Sequence, residues 1–125
     1  MPCIAANARS YEKQSVGNGQ CVAFVRAASK APHTSTWKQG KLVKTDSTLF
    51  PGIAIATFEP DGKYGNREDG KSHAAIFIRK SAIGIVVFDQ WVTNGKAQPV
   101  HERTIRFNNS IGKKINNGDE YYVVE

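Results

Sequence analysis

Cys21 is the residue on which chemistry can be built. It lies in Gly17-Asn18-Gly19-Gln20-Cys21-Val22-Ala23-Phe24-Val25-Arg26, where glycines and polar residues pass straight into a helical pattern. The thiol therefore falls in the first turn of a predicted helix. Backbone N–H groups there are unpaired and the helix dipole favours negative charge. Such surroundings lower a thiol pKa and raise the thiolate fraction. A nucleophile needs this and a structural cysteine does not. Two polar residues interrupt an otherwise apolar pair of segments: His73 opens one and Asp89 nears the end of the next. An imidazole can hold the thiol proton and later protonate a leaving amine, and a carboxylate can hold the ring in the right tautomer. The Cys21 backbone N–H is placed to donate to a tetrahedral oxyanion, with the Gln20 side chain as a candidate second donor.

These residues act together only if the elements carrying them meet. Residues 20–29 predict a helix, with Val22, Val25 and Ala28 on one stripe and Cys21, Phe24 and Val25 beside it. Asn18 is a candidate cap, and Ala31-Pro32 ends the helix. His73–Arg79 and Ile85–Trp91 predict an antiparallel hairpin, apolar at nearly every position, so both faces should be covered. A Ser81-Ala82-Ile83 loop pairs Lys80 with Gly84 and His73 with Trp91. Asp89 is then diagonal to His73 on the same face, and Trp91 is near the site. A slip of one residue puts Gln90 there instead, so the third residue is Asp89 first and Gln90 second.

The remaining elements follow in order. A short helix is predicted within Met1–Gln14, a single turn after Thr34, and an extended connector over Leu42–Phe50. Ile53–Phe58 reads as a strand, Glu59–Ser72 as a long polar loop, and Asn94-Gly95 as a turn. Val100–Phe107 alternates like a half-exposed strand, Asn108–Asp119 is a polar loop, and Tyr121–Val124 is a last strand. The fold class is α+β: N-terminal helices packed on an antiparallel sheet of about five strands. The 125 residues have the size of one domain, 1–125.

Each residue has a blander reading on its own. A cysteine in an apolar helix is usually a small core residue. A histidine at a strand edge is usually structural, and an aspartate before a loop usually serves the turn. Cys3, His33 and His101 suggest nothing beyond incidental or surface positions, and Trp37, Tyr64 and Trp91 read first as packing residues. It is the order of Cys21, His73 and Asp89 that makes the case, because a papain-like site requires that order. Composition excludes other classes. The chain is 40% hydrophobic and 22% charged, with no run apolar enough to span a membrane. Its net charge of +6 is scattered, so it argues only weakly for a polyanionic partner, and no nucleic acid is expected. No phosphate loop, dinucleotide fingerprint or metal-ligand spacing is present, and no cofactor is implied. Two cysteines make no disulfide framework, although a Cys3–Cys21 bridge would block the chemistry. No basic segment followed by an apolar stretch opens the chain, so no signal peptide is read. That leaves a cytoplasmic location, non-classical export to a target cell envelope, or a leader missing from this sequence.

At these residues the chain resembles a known family. Gly19-Gln20-Cys21-Val22-Ala23 resembles the cysteine motif of CHAP domains, the cysteine, histidine-dependent amidohydrolases/peptidases. Ser72-His73-Ala74-Ala75-Ile76 resembles their Gly-His-x-Ala-Ile motif, and Val87-Phe88-Asp89-Gln90-Trp91 their third-residue strand. NlpC-type cell-wall peptidases share the order. The chain departs from the pattern at Ser72, at Ile53 in place of the usual aspartate, and at Trp91. The resemblance implies a papain-like fold and a bacterial cysteine hydrolase that cleaves an amide bond in peptidoglycan, as amidase or endopeptidase. By analogy with small contact-delivered effectors it also implies a secreted antibacterial role and a cognate inhibitor (immunity) protein as partner. Two alternatives stay open: an acyl or peptidyl transferase on the same fold, and a silent basic module that binds a polyanion.

Overall fold

The computed structural model describes residues 2–67, 69–109 and 112–125. Glu68, Ser110 and Ile111, in the two polar loops read from sequence, lie outside the described residues. One α-helix, α1 (Cys21–Ser29), packs on a six-stranded sheet. The strands are β1 (Gln39–Leu42), β2 (Ala54–Thr57), β3 (Ala74–Lys80), β4 (Gly84–Thr93), β5 (Lys96–Arg106) and β6 (Tyr121–Val124). Their spatial order is β1-β6-β2-β3-β4-β5, and every neighbouring pair is antiparallel.

The fold is α+β as expected, but the helical part is smaller and the sheet larger. The N-terminal segment makes only a 3-10 turn at Ala8–Tyr11. Ile4 instead bridges Ile53, and the Ala5 N–H bonds the Gly52 carbonyl at 2.7 Å. Those sheet-like bonds outweigh the helical spacing of Ile4, Ala5 and Ala8. The sixth strand is β1, which starts ahead of the expected connector. It is recruited when β6 inserts between β1 and β2.

Both faces of the central strands are covered. On one face α1 presses Phe24 and Val25, each fully buried, onto Ala74, Ile76 and Phe88. Burying such side chains stabilises the contact by roughly 2 kcal/mol each. On the other face Val43, Ile105 and Tyr121 pack with Ile55, Phe77 and Val87. The helix ends where Lys30 takes a left-handed conformation (φ 60°) and its N–H bonds the Arg26 carbonyl. No helix among the described residues is long and apolar enough to cross a membrane.

Two bulges set the registers that matter. Near its turn the β3–β4 hairpin pairs Lys80 with Ile85, not with Gly84 as expected. Ile78 is then the extra residue on β3, and Ile76 opposite Phe88 restores the expected register. The β4–β5 hairpin turns at Asn94 (φ 51°) and Gly95 (φ 73°), the paired positive angles that match strand twist. Its bulge falls where Asp89 faces His101 but Trp91 faces Gln98, leaving Pro99 and Val100 against Gln90 alone. Proline has no N–H to lose there. The freed Val100 backbone pairs instead with Lys13 and Gln14, at 2.7 and 2.8 Å.

Candidate active site

The segment before α1 is held by β4. Gly17 and Gly19 take positive φ (57° and 84°), and a Cβ on Gly19 would meet the Val92 side chain at 3.0 Å. Asn18 does not cap the helix: its Oδ1 accepts from the Gln20 N–H at 2.9 Å, and Gln20, in extended conformation, takes the cap position. Gln90 then fastens this segment. Its Oε1 accepts from the Val16 N–H at 2.8 Å, and its Nε2 donates to the Val16 and Gln20 carbonyls at 2.9 and 2.7 Å. Gln90 is fully buried and all its amide groups are engaged there, away from His73. Replacing Gln90 by Leu would strand three backbone groups. We expect a loss of about 3 kcal/mol in denaturant unfolding, with impaired turnover from the misplaced helix start. An unchanged unfolding midpoint would mean the segment is held by other contacts.

Cys21 begins α1 and is 9% exposed; His73 precedes β3 and is 4% exposed. Thr57 pins the His73 backbone on both sides: its Oγ1 accepts from the His73 N–H at 3.1 Å, and its N–H bonds the His73 carbonyl at 3.0 Å. The imidazole Nε2 lies 2.7 Å from Asp89 Oδ2, and the imidazole is close enough to Cys21 to act on its charge. With Nε2 engaged by Asp89, Nδ1 is the nitrogen left for the thiol. Thus Cys21, His73 and Asp89 come together, with His73 bonded to Asp89 on one side and facing Cys21 on the other. Cys3 and Cys21 are both free thiols.

The electrostatics favour an ion pair. Burial alone would push the Cys21 thiol up, but the His73 charge and hydrogen bonds from His73, the Ala74 N–H and Tyr64 hold it below its ordinary value. Burial alone would push His73 down, but the Cys21 thiolate and the bond to Asp89 raise it from 6.5 to about 9. Asp89 is fully buried, which opposes ionisation; His73 and Arg103 outweigh this and keep its carboxyl below the usual range.

Two neighbours were not singled out from sequence. Tyr64, in the polar loop, puts its hydroxyl 3.8 Å from the Cys21 sulfur. Burial and the adjacent thiolate push its phenol far up, so it stays an O–H donor. Arg103 on β5 donates to both Asp89 oxygens, from Nε at 3.0 and 2.8 Å and from Nη2 at 2.7 Å. Its guanidinium lies 4.9 Å from the Trp91 ring centroid. Trp91 in turn meets His73 edge-on at 6.5 Å. Of the three aromatics read as packing residues, Trp37 is one, with its Nε1 bonded to the Pro32 carbonyl at 2.9 Å. Tyr64, which is buried and also packs on Trp37 with ring centroids 4.9 Å apart, joins Trp91 in lining a cleft of about 760 Å³ over the site, with Gln20, Cys21, His73 and Arg103. The Gln20 side chain is exposed there. Asn66, Arg67, Asn94, Lys113 and Asn116 complete a polar wall.

A thiol and an imidazole lining one cleft, with a buried carboxylate bonded to the imidazole, mark a candidate active site. The chain belongs to the domesticated amidase effector 2 (Dae2) family, whose model matches residues 2–124. It is 33% identical to a type VI secretion amidase effector 2 protein of Salmonella typhi, across the whole of both chains. It is 38% identical over 115 residues to domesticated amidase effector 2 of Ixodes scapularis, covering 88% of this chain and 73% of that one. The solved structure of a type 6 secretion amidase effector 2 (Tae2) is similar with a TM-score of 0.82 and 33% identity, covering 98% of this chain and 93% of the other.

Proposed function

We propose that the protein is a secreted antibacterial amidase that hydrolyses an amide bond in peptidoglycan, with Cys21 as nucleophile, His73 as general base and acid, and Asp89 as the residue that orients it. The observation that carries this reading is the meeting of Cys21 and His73 on the cleft, with Asp89 buried behind His73, in a chain whose relatives are named amidase effectors. The order and local motifs make it a papain-like hydrolase of the CHAP and NlpC kind, with residues 1–125 acting as one catalytic unit. A cognate inhibitor protein would protect the producing cell.

The chemistry follows from the geometry. The Cys21 thiolate attacks the amide carbonyl carbon and forms a tetrahedral oxyanion. The Cys21 N–H, unpaired at the helix start, donates to that oxygen, with the Gln20 side chain as second donor. The His73 imidazolium gives its proton to the leaving nitrogen, the C–N bond breaks, and a thioester remains. Neutral His73 then takes a proton from water, whose oxygen attacks the thioester. The acid product leaves and the thiolate returns. Asp89 accepts from Nε2–H throughout, which keeps Nδ1 toward the sulfur. The amide-rich wall suits a peptide, and Lys113 suits its carboxylates.

The test is digestion of purified peptidoglycan, with the released fragments weighed. Amide hydrolysis adds one water per cut and leaves a new amine and a new carboxylate. Fragments carrying an added amine acceptor would indicate a transferase, and intact wall would sink the proposal. A pH profile tests the ion pair. Cys21 titrates below the ordinary thiol value of 9.0 and His73 at about 9, so thiolate and imidazolium coexist between the two. Activity in kcat/KM should set in below the pH at which an ordinary thiol ionises and fall as His73 loses its proton near 9. A profile that climbs steadily through that pH, as an ordinary thiol gives, would rule out the preformed pair.

A further inference from the structure

We propose that Arg103 is a positioning residue of this site: it clamps Asp89 so that the carboxylate aims one oxygen at His73 and stays an anion through every step. This rests on the hydrolytic reading of Cys21 and His73 above. Asp89 is fully buried, and a lone carboxylate there would take up a proton or recruit water. Its two oxygens instead receive three contacts from one guanidinium, two from Nε and one from Nη2, while Oδ2 also receives His73 Nε2 at 2.7 Å. A planar fork of donors fixes both the position and the rotation of a carboxylate, which a point charge does not.

The clamp is itself held. Arg103 stands opposite Val87 in the β4–β5 pairing, one diagonal step from Asp89. Trp91 lies against the guanidinium at 4.9 Å, beside it in the wall of the cleft. The clamp has a second effect. Compensating the Asp89 charge limits how strongly Asp89 can hold a proton on His73. The imidazolium is therefore sustained mainly by the Cys21 thiolate, and it releases its proton once the thiolate is consumed by acylation. The other groups facing this cluster are Tyr64 beside Cys21, Tyr121 from β6 beside Asp89 and Arg103, and His101 tilted against Trp91 at 5.1 Å. Both phenols are pushed up by burial and stay neutral, so Arg103 is the only permanent cation bonded to Asp89 among the described residues.

Two variants in a Cys3→Ser background test this, the background removing the second thiol. Arg103→Gln keeps hydrogen bonding but loses the charge and the fork; Arg103→Lys keeps the charge and loses the fork. Each is measured for kcat and KM on peptidoglycan fragments and for the pH dependence of Cys21 alkylation by iodoacetamide, which needs no substrate turnover. Both should lower kcat by about 100-fold with KM within about twofold. In Arg103→Gln the alkaline limb of alkylation, set by His73, should rise by roughly one unit. In Arg103→Lys it should stay in place. Folded variants with wild-type kcat and an unmoved limb would overturn the proposal, as would a raised KM at constant kcat, which would make Arg103 a substrate contact. Alkylation limbs that move as stated, with no peptidoglycan cleavage by wild type, would uphold the clamp and reject the substrate instead.

Discussion

Cys21→Ala is expected to abolish hydrolysis, lowering kcat by about a million-fold, since removing the nucleophile of such a site costs nearly as much as removing the whole constellation. His73→Ala should fall to a similar floor, because the thiolate then loses both its stabilising cation and the proton donor for the leaving amine. Cys21→Ser should behave like Cys21→Ala. A hydroxyl in the same place has no accessible anion, and the Tyr64 and Ala74 donors that settle a thiolate cannot supply one. The folded state should survive, since the change removes one small side chain from α1 and leaves Phe24 and Val25 on the sheet. It should also leave a trace away from the sulfur. The thiolate is the leading influence that raises His73 against burial, so in Cys21→Ala the imidazole should titrate below about 9. Kinetics on muropeptides and NMR titration of His73 check the two effects separately. Residual cleavage within about tenfold of wild type would remove Cys21 from the mechanism.

Asp89→Asn has the next largest expected effect, a fall in kcat of about 10,000-fold. Both Asp89 oxygens accept from cationic partners, His73 at one and Arg103 at both. An amide offers one acceptor, so its NH₂ must face a donor on either choice of orientation. The imidazole is then free to present the wrong nitrogen to Cys21, and Arg103 is left half-paired in a buried setting. Removing one partner of a buried ion pair typically costs about 3–5 kcal/mol, so the variant should also unfold at lower denaturant concentration. Asp89→Ala should be worse on stability and similar on rate. A folded Asp89→Asn enzyme with kcat within a few-fold of wild type would mean that His73 is oriented without this carboxylate.

Much of this site was legible because chemistry punctuates apolar elements. Cys21 follows glycines at a helix start, and His73 and Asp89 stand out against strands that are otherwise hydrophobic. The route from those residues to their partners was less visible. The expected Lys80–Gly84 pairing is off by one at the turn, and the diagonal of His73 and Asp89 depends on Ile78 bulging to restore the register. A bulge in a uniformly apolar strand leaves no mark in composition. Arg103 carried no signal within a strand read only as half-exposed, because its contact with Asp89 depends on which strand lies beside β4 and in what register. Tyr64 sat in a loop whose path no local pattern specifies. The N-terminal helix failed for a related reason: the spacing of Ile4, Ala5 and Ala8 satisfies a helix, but backbone bonds to Gly52 and Ala54 won.

The insertion of β6 has a consequence for when this sheet becomes complete. Ile55 of β2 takes Val123 as its neighbour, so the strand beside it is translated long after β2 itself. Until then β2 has an open edge, and β1 has no place in the sheet. Tyr121, buried beside Asp89 and Arg103, belongs to that late strand. Pairings so distant in sequence form slowly. Between the addition of Asp89 and that of Tyr121 a nascent chain therefore carries its cysteine, histidine and aspartate without the strand that completes the sheet. A complete sheet therefore arises in one late step, after β6 is made.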